Sequence, residues 1–196
     1  MGQPYRKDLS HLTWDEVFAR QALRADLVGD WIAALQLQPG ACVLDIGAGP
    51  GYVSLELAQR VGPEGLVCAV DRSAEALAYL ATLQHERGVT QIRRVVADAS
   101  TWDPEGMRAD AALVTMVLHH ADDPLKLLAN LARLLPTGAP LVLGEFHPDA
   151  PCEVGPPQTV RISPEQLQAS SEAAGFEVLG YNRQTPEHYM FALRRS

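Results

Sequence analysis

Five short apolar runs mark the middle of the chain: ACVLDI (41–46), GLVCAVD (65–71), IRRVVA (92–97), DAALVTMVL (110–118) and APLVLGEF (139–146). Most are near-continuously apolar rather than alternating, the pattern of strands buried on both faces. Between them, apolar positions recur at helical spacing. YVSLELAQR (52–60) reads as a helix closed by Gly62. Ser73 caps a second helix, which runs to Arg87 and stops at Gly88. Asp123 followed by Pro124 is an N-cap with proline at the first helical position, and Leu125, Leu128, Leu131 and Leu135 share one face. Strands alternating with amphipathic helices predict a parallel sheet covered on both sides. Ahead of the first strand, residues 12–37 read as helical, with Trp14, Val17, Phe18, Leu23, Leu27, Trp31 and Leu35 in the apolar positions.

The last part of the chain follows another rule. SPEQ (163–166) is a capping box with proline inside, and its helix ends near Gly175. FEVLGYNRQ and EHYMFALRR then follow with only a few residues between them, and Tyr189, Phe191 and Leu193 alternate onto one face of the second. No crossover helix fits in so short a gap, so the pair is an antiparallel hairpin. The predicted fold is α/β: a Rossmann-like, doubly wound, seven-stranded and mostly parallel sheet with an antiparallel C-terminal edge hairpin. A chain of 196 residues suits one such domain. Its parts are an N-terminal helical lid (1–37), a core (38–146), a proline-rich loop (147–163) and a helix plus hairpin (164–196).

Charge and cysteine content narrow the partners. Net charge is −8 and the only lysines are Lys7 and Lys126, which disfavours nucleic acid or an anionic membrane surface. The longest clean apolar stretch, Ala111 to Leu118, is far short of a membrane span, and no apolar core follows the basic residues near the N-terminus. Cys42, Cys68 and Cys152 are odd in number and form no CxxC, so neither a disulfide framework nor a metal site is expected. His119, His120, His147 and Cys152 match no standard zinc spacing. A cytoplasmic location is the expectation.

The chemistry begins at VLDIGAGPG (43–51), between the first strand and the first core helix. Ligands of open parallel sheets bind at the carboxyl ends of strands. The dinucleotide fingerprint GxGxxG is not met, because the position wanted for its third glycine holds Tyr52. No Lys or Arg lies between Cys42 and Gln59, and there is no GK[ST] for a phosphate loop. A cationic, phosphate-free nucleotide fits better. Asp45 can hold an ammonium directly or through water, the amides near Gly47 and Gly49 can approach the methionine part, Asp71 can accept from a ribose diol, and Asp98 can accept from the adenine amino group.

VLDIGAGPGYVSLELA, VDRSAEAL, ADAS, MVLHHADDPLKLLANLARLLPTGAPLVLGEF and the terminal hairpin together resemble the successive motifs of the class I S-adenosylmethionine-dependent methyltransferases. The resemblance covers about residues 38 to 195 and is to the small-molecule branch, which includes quinone C-methyltransferases. It implies S-adenosyl-L-methionine as cofactor and S-adenosyl-L-homocysteine as product. It assigns the cofactor site to Asp45, Gly47, Ala48, Gly49, Gly51, Asp71, Arg72, Asp98, Ala99 and Met116, with Ala99 at the adenine edge. Arg72 departs from the aliphatic residue usual after the ribose acid; its stem can lie on adenine while its head reaches water.

Methyl transfer from a sulfonium is an in-line displacement that needs alignment and exclusion of water, and a base only if the acceptor loses a proton. His119 and His120 are the candidate bases, and either can instead simply shape the pocket. With Glu145 and His147 they are the candidate acceptor-lining residues. The absence of a [DN]PP[YFW] tetrapeptide and of a large insertion points to a small-molecule acceptor rather than protein or nucleic acid. Two alternatives stay open: a non-catalytic S-adenosylmethionine-binding protein, and an NAD(P)-dependent oxidoreductase, although no tyrosine has lysine four residues later.

Overall fold

The computed structural model describes residues 12–150 and 155–196. Cys152 lies outside the described residues. Among the described residues, seven strands form one sheet: β1 (Cys42–Ile46), β2 (Leu66–Asp71), β3 (Ile92–Val96), β4 (Ala111–Thr115), β5 (Pro140–Phe146), β6 (Phe176–Asn182) and β7 (His188–Arg195). Their order is β3-β2-β1-β4-β5-β7-β6. β1 to β5 pair in parallel, and β7 runs antiparallel to both β5 and β6. The order reverses between β1 and β4, which opens a crevice over their carboxyl ends.

Among the described residues, six helices cover the sheet: α1 (Trp14–Ala22), α2 (Ala25–Ala34), α3 (Tyr52–Val61), α4 (Ala74–Arg87), α5 (Pro124–Leu134) and α6 (Pro164–Ala173). The caps read from the sequence are present. Ser73 accepts from the Ala76 N–H, Asp123 from the Lys126 N–H, and Ser163 and Gln166 bond reciprocally. β1, β2 and β4 are buried on both faces between two apolar layers. One layer joins Leu44, Ile46 and Leu143 with Leu128 and Leu131 of α5 and with Tyr189, Phe191 and Leu193 of β7. The other joins Val43, Leu113 and Val142 with Trp31 of α2 and Leu57 of α3. Gly144 has no side chain because an added Cβ would stand 2.8 Å from the Trp31 ring.

Three expectations need correction. Residues 12–37 form two helices broken at Leu23 and Arg24. Leu23, expected in the apolar stripe, is 87% exposed at the break. Neither residue breaks helices by propensity; the cause is tertiary. Gln21 at the end of α1 bonds the glycine loop, and Arg24 lies over Phe146. The fourth strand ends at Thr115, not Leu118, because Met116 turns to φ +57° and Leu118–His120 forms a 3-10 turn. On α5, Leu125 is exposed, and the buried stripe is Leu127, Leu128, Leu131 and Leu134.

Candidate active site

The glycine loop is held by its own backbone. Gly47, Gly49 and Gly51 all have positive φ, a region side chains disfavour. A Cβ on Gly47 would run into the Val117 side chain, and one on Gly51 into Leu80. The Gly47 and Ala48 N–H groups donate to the Val70 carbonyl, tying the loop to β2. The cradle therefore admits no side chain where a ligand would approach.

Asp71 ends β2 and locks the loop from the other side. One carboxylate oxygen accepts from the Gly49 N–H at 2.8 Å and the other from the Ser73 N–H at 2.8 Å. Each oxygen keeps a lone pair, enough to accept from a vicinal diol. Arg72 is exposed beside it and Ala99 is buried. Asp98 is exposed and accepts from the Ser100 N–H at 2.8 Å. The Asn130 side chain donates to the carbonyls of Ala99 and Trp102, both at 2.8 Å, and so fixes the segment after β3.

Asp45 sits deeper than its expected role suggests. It is buried and accepts from Ser54 Oγ at 2.5 Å. Burial pushes its carboxyl up to about 7, with the nearby Asp71 adding to the rise against the Ser54 bond. Its immediate task is to anchor α3 to the loop. Gln21, one of the residues missed from sequence, covers the loop from α1: its amide donates to the Ala48 carbonyl at 3.4 Å and accepts from the Tyr52 N–H at 3.2 Å.

The residues present fit S-adenosylmethionine better than a phosphorylated nucleotide. A cradle closed to any Cβ meets acids at the ends of β1 and β2 and after β3. Among the described residues, no cation bonds the loop.

At the end of β4, Met116 and the 3-10 turn swing His119 and His120 over β5. His119 is buried; its Nδ1 lies 2.7 Å from Glu145 Oε2, and its N–H donates to Glu145 Oε1 at 3.3 Å. Burial works against the Glu145 charge, but the His119 ring and N–H and the Phe146 N–H outweigh it and hold the carboxyl below its usual range. An ionised Glu145 can only accept, so Nδ1–H donates to it, and in the neutral tautomer that this selects, Nε2 is the acceptor. That is the arrangement of a general base with a carboxylate behind it. The His120 ring packs 4.1 Å from that of His119.

His147 goes elsewhere. It faces the Tyr189 ring and, with Asp149, Glu165 and Arg183, lines a cavity of about 420 Å³ near α6. Burial, aided by Arg183, lowers its pKa. Neither that cavity nor one of about 360 Å³ around Met107 and Arg133 touches the glycine loop. Four further residues gather on the β5 end without any signal in the sequence. Phe146 is flanked by the guanidinium groups of Arg24 and Arg161, at 5.2 and 5.3 Å from its ring centre, and by the His188 ring at 4.9 Å. No spacing rule links positions so far apart; only the register that sets Phe146 opposite His188 does.

Residues 43–138 match a family model described as a methyltransferase domain. The chain is 42% identical over 82 residues to a protein-L-isoaspartate O-methyltransferase of Aeropyrum pernix, covering 40% of this chain and 31% of that protein. It is 34% identical over 120 residues to a ubiquinone biosynthesis O-methyltransferase of Xanthomonas campestris pv. campestris, covering 60% of this chain and 48% of that protein. The chain thus spans less than half the length of each of these relatives. Its fold is that of a SAM-dependent methyltransferase from Aquifex aeolicus, with a TM-score of 0.80 at 21% identity over 86% of this chain and 89% of that one. Among the described residues no helix is long and apolar enough to cross a membrane.

Proposed function

The chain carries a methyltransferase domain of the class I S-adenosylmethionine-dependent family, and on that premise we propose that it moves a methyl group onto a small-molecule acceptor by in-line displacement. The observation that carries the reading is the Asp71 carboxylate, which closes the positive-φ glycine loop through Gly49 while keeping lone pairs for a diol. When bound, the sulfonium supplies an electrophilic methyl group and a neutral thioether leaving group. The chain supplies the rest. Gly47 and Gly49 let backbone amides approach the methionine part. Asp71 accepts from the ribose hydroxyls, Asp98 and Ala99 frame the adenine edge, and the Arg72 stem is free to lie on it. Met116 and His119 stand at the start of the acceptor side. His119 Nε2 takes the proton of an acceptor hydroxyl as that oxygen is methylated, and Glu145 holds the tautomer that makes this possible. The α1–α2 cover excludes water through Gln21.

Thermal melts test the reading. A ligand at about 100 times its Kd adds roughly 2.7 kcal/mol of stability, a shift of several degrees for a domain of this size. S-adenosylmethionine and S-adenosylhomocysteine are expected to raise Tm, and NADH is not. A shift with NADH alone would sink the proposal.

A further inference from the structure

Three hydrogen-bond donors surround Phe146 at the end of β5, and among the described residues none is hydrogen-bonded to an acid. Arg161 is buried; its Nε donates to the Pro156 carbonyl at 2.8 Å and its Nη1 to the carbonyls of His147 and Ala150 at 2.9 and 3.4 Å. Among the described residues, its Nη2 bonds nothing. Among the described residues, Arg24 donates only to the Arg20 carbonyl at 3.2 Å. Neither arginine forms an ion pair among the described residues. Burial and Arg20 push the Arg24 guanidinium below its usual pKa, and Glu187 offsets this only in part.

His188 adds the third donor. Thr185 Oγ1 accepts from the N–H groups of Glu187 and His188 at 3.1 and 3.0 Å, so its own proton points to His188 Nδ1 at 3.0 Å. Nδ1 is then the acceptor and Nε2 carries the proton. Among the described residues that Nε2 is buried with no hydrogen-bond partner, in a residue only 8% exposed. Unpaired buried donors and cations are costly unless something completes them.

The cluster lies away from the residues assigned to the cofactor. Cofactor contacts gather on β1, β2 and the end of β3, whereas Phe146 ends β5, two strands from β1, or about 10 Å at the usual spacing. We propose that the methyl acceptor is a carboxylate-bearing small molecule whose carboxylate docks beside Phe146, on Arg24, Arg161 Nη2 and His188 Nε2. This rests on the methyltransferase reading and names the substrate class of the same site. The planar guanidinium fork suits a carboxylate.

The test uses protein saturated with S-adenosylhomocysteine, melted against increasing benzoate, benzamide and inorganic phosphate at constant ionic strength. Benzoate is expected to raise Tm saturably and benzamide not at all. Arg24→Gln and His188→Phe are each expected to weaken the benzoate response roughly tenfold while leaving S-adenosylhomocysteine affinity unchanged. His188→Phe keeps the ring packing, so a purely structural role would leave its benzoate response intact. Equal responses to benzoate and benzamide, or an undiminished benzoate response in both variants, overturn the proposal. A stronger response to phosphate than to benzoate overturns the carboxylate assignment. Loss of S-adenosylhomocysteine affinity in Arg24→Gln overturns it too, since the cation would then serve the cofactor's own carboxylate. If S-adenosylhomocysteine does not bind wild type at all, the methyltransferase reading falls instead, and benzoate titrated alone decides the anion site.

Discussion

Gly47 shows what a single missing side chain does here. Its φ of +71° disfavours any other residue, and an added Cβ meets Val117. Gly47→Ala is expected to cost roughly 1–2 kcal/mol in backbone strain and about 1–3 more in overpacking. Urea denaturation measures the sum. Adding Val117→Ala should recover the packing part only, leaving the backbone part. Glu145 acts at the same scale through another residue. Glu145→Gln can pair with either His119 tautomer, so Nε2 is no longer fixed as the acceptor. We expect kcat to fall at least about tenfold, with KM for the cofactor unchanged and the low-pH limb of the kcat profile displaced. A uniform loss of stability with an unchanged pH profile would reduce Glu145 to scaffolding.

The elements explain why so much could be read from the chain and where reading stopped. Doubly buried strands write themselves as apolar runs, and caps are local, so β1, β2, β4 and β5 and the starts of α4, α5 and α6 were legible; β3 is instead an edge strand with Arg93, Arg94 and Val96 exposed. The placement of Asp45, Gly47, Gly49, Asp71 and Asp98 near neighbouring strand ends was legible because it follows chain order. The break between α1 and α2 was not, since Leu23 and Arg24 obey helix propensity and yield to distant partners. Nor was the group around Phe146, in which Arg24, Arg161 and His188 come from three unconnected segments. His147 adjoins Phe146 in the chain, yet its ring packs against Tyr189 and lines a separate cavity. Gln21 tests the cover. Gln21→Ala removes two bonds to the loop, each worth about 1 kcal/mol. Faster amide exchange confined to α1 and the loop at Ala48–Tyr52 is the expected outcome, with global stability little changed; unchanged exchange there would mean α1 is no latch.

For the whole molecule, two buried groups tilt stability with pH in opposite directions. The folded pKa of Asp45 is raised to about 7 from 3.8, so the native state holds the extra proton in between, and stability falls as pH rises through that window. His188 is lowered to about 4 from 6.5 by burial and by Arg24 and Arg161, so the unfolded chain holds the extra proton and stability rises across that window. In wild type the two largely offset one another between about pH 4 and 6.5. Relative to wild type, Asp45→Asn should be most stabilised near pH 7 and above, by up to a few kcal/mol. His188→Phe should gain most near pH 4. Denaturation midpoints across that range measure both, and parallel curves for wild type and Asp45→Asn would refute the buried-acid assignment.

All of this depends on what the glycine loop and Asp71 hold. Calorimetric titration of S-adenosylhomocysteine into wild type and Asp71→Ala tests that most directly. The expected result is one-to-one binding to wild type, weakened at least about tenfold in the variant by loss of the diol contacts. The absence of binding to wild type, or equal affinity in the two proteins, would contradict it.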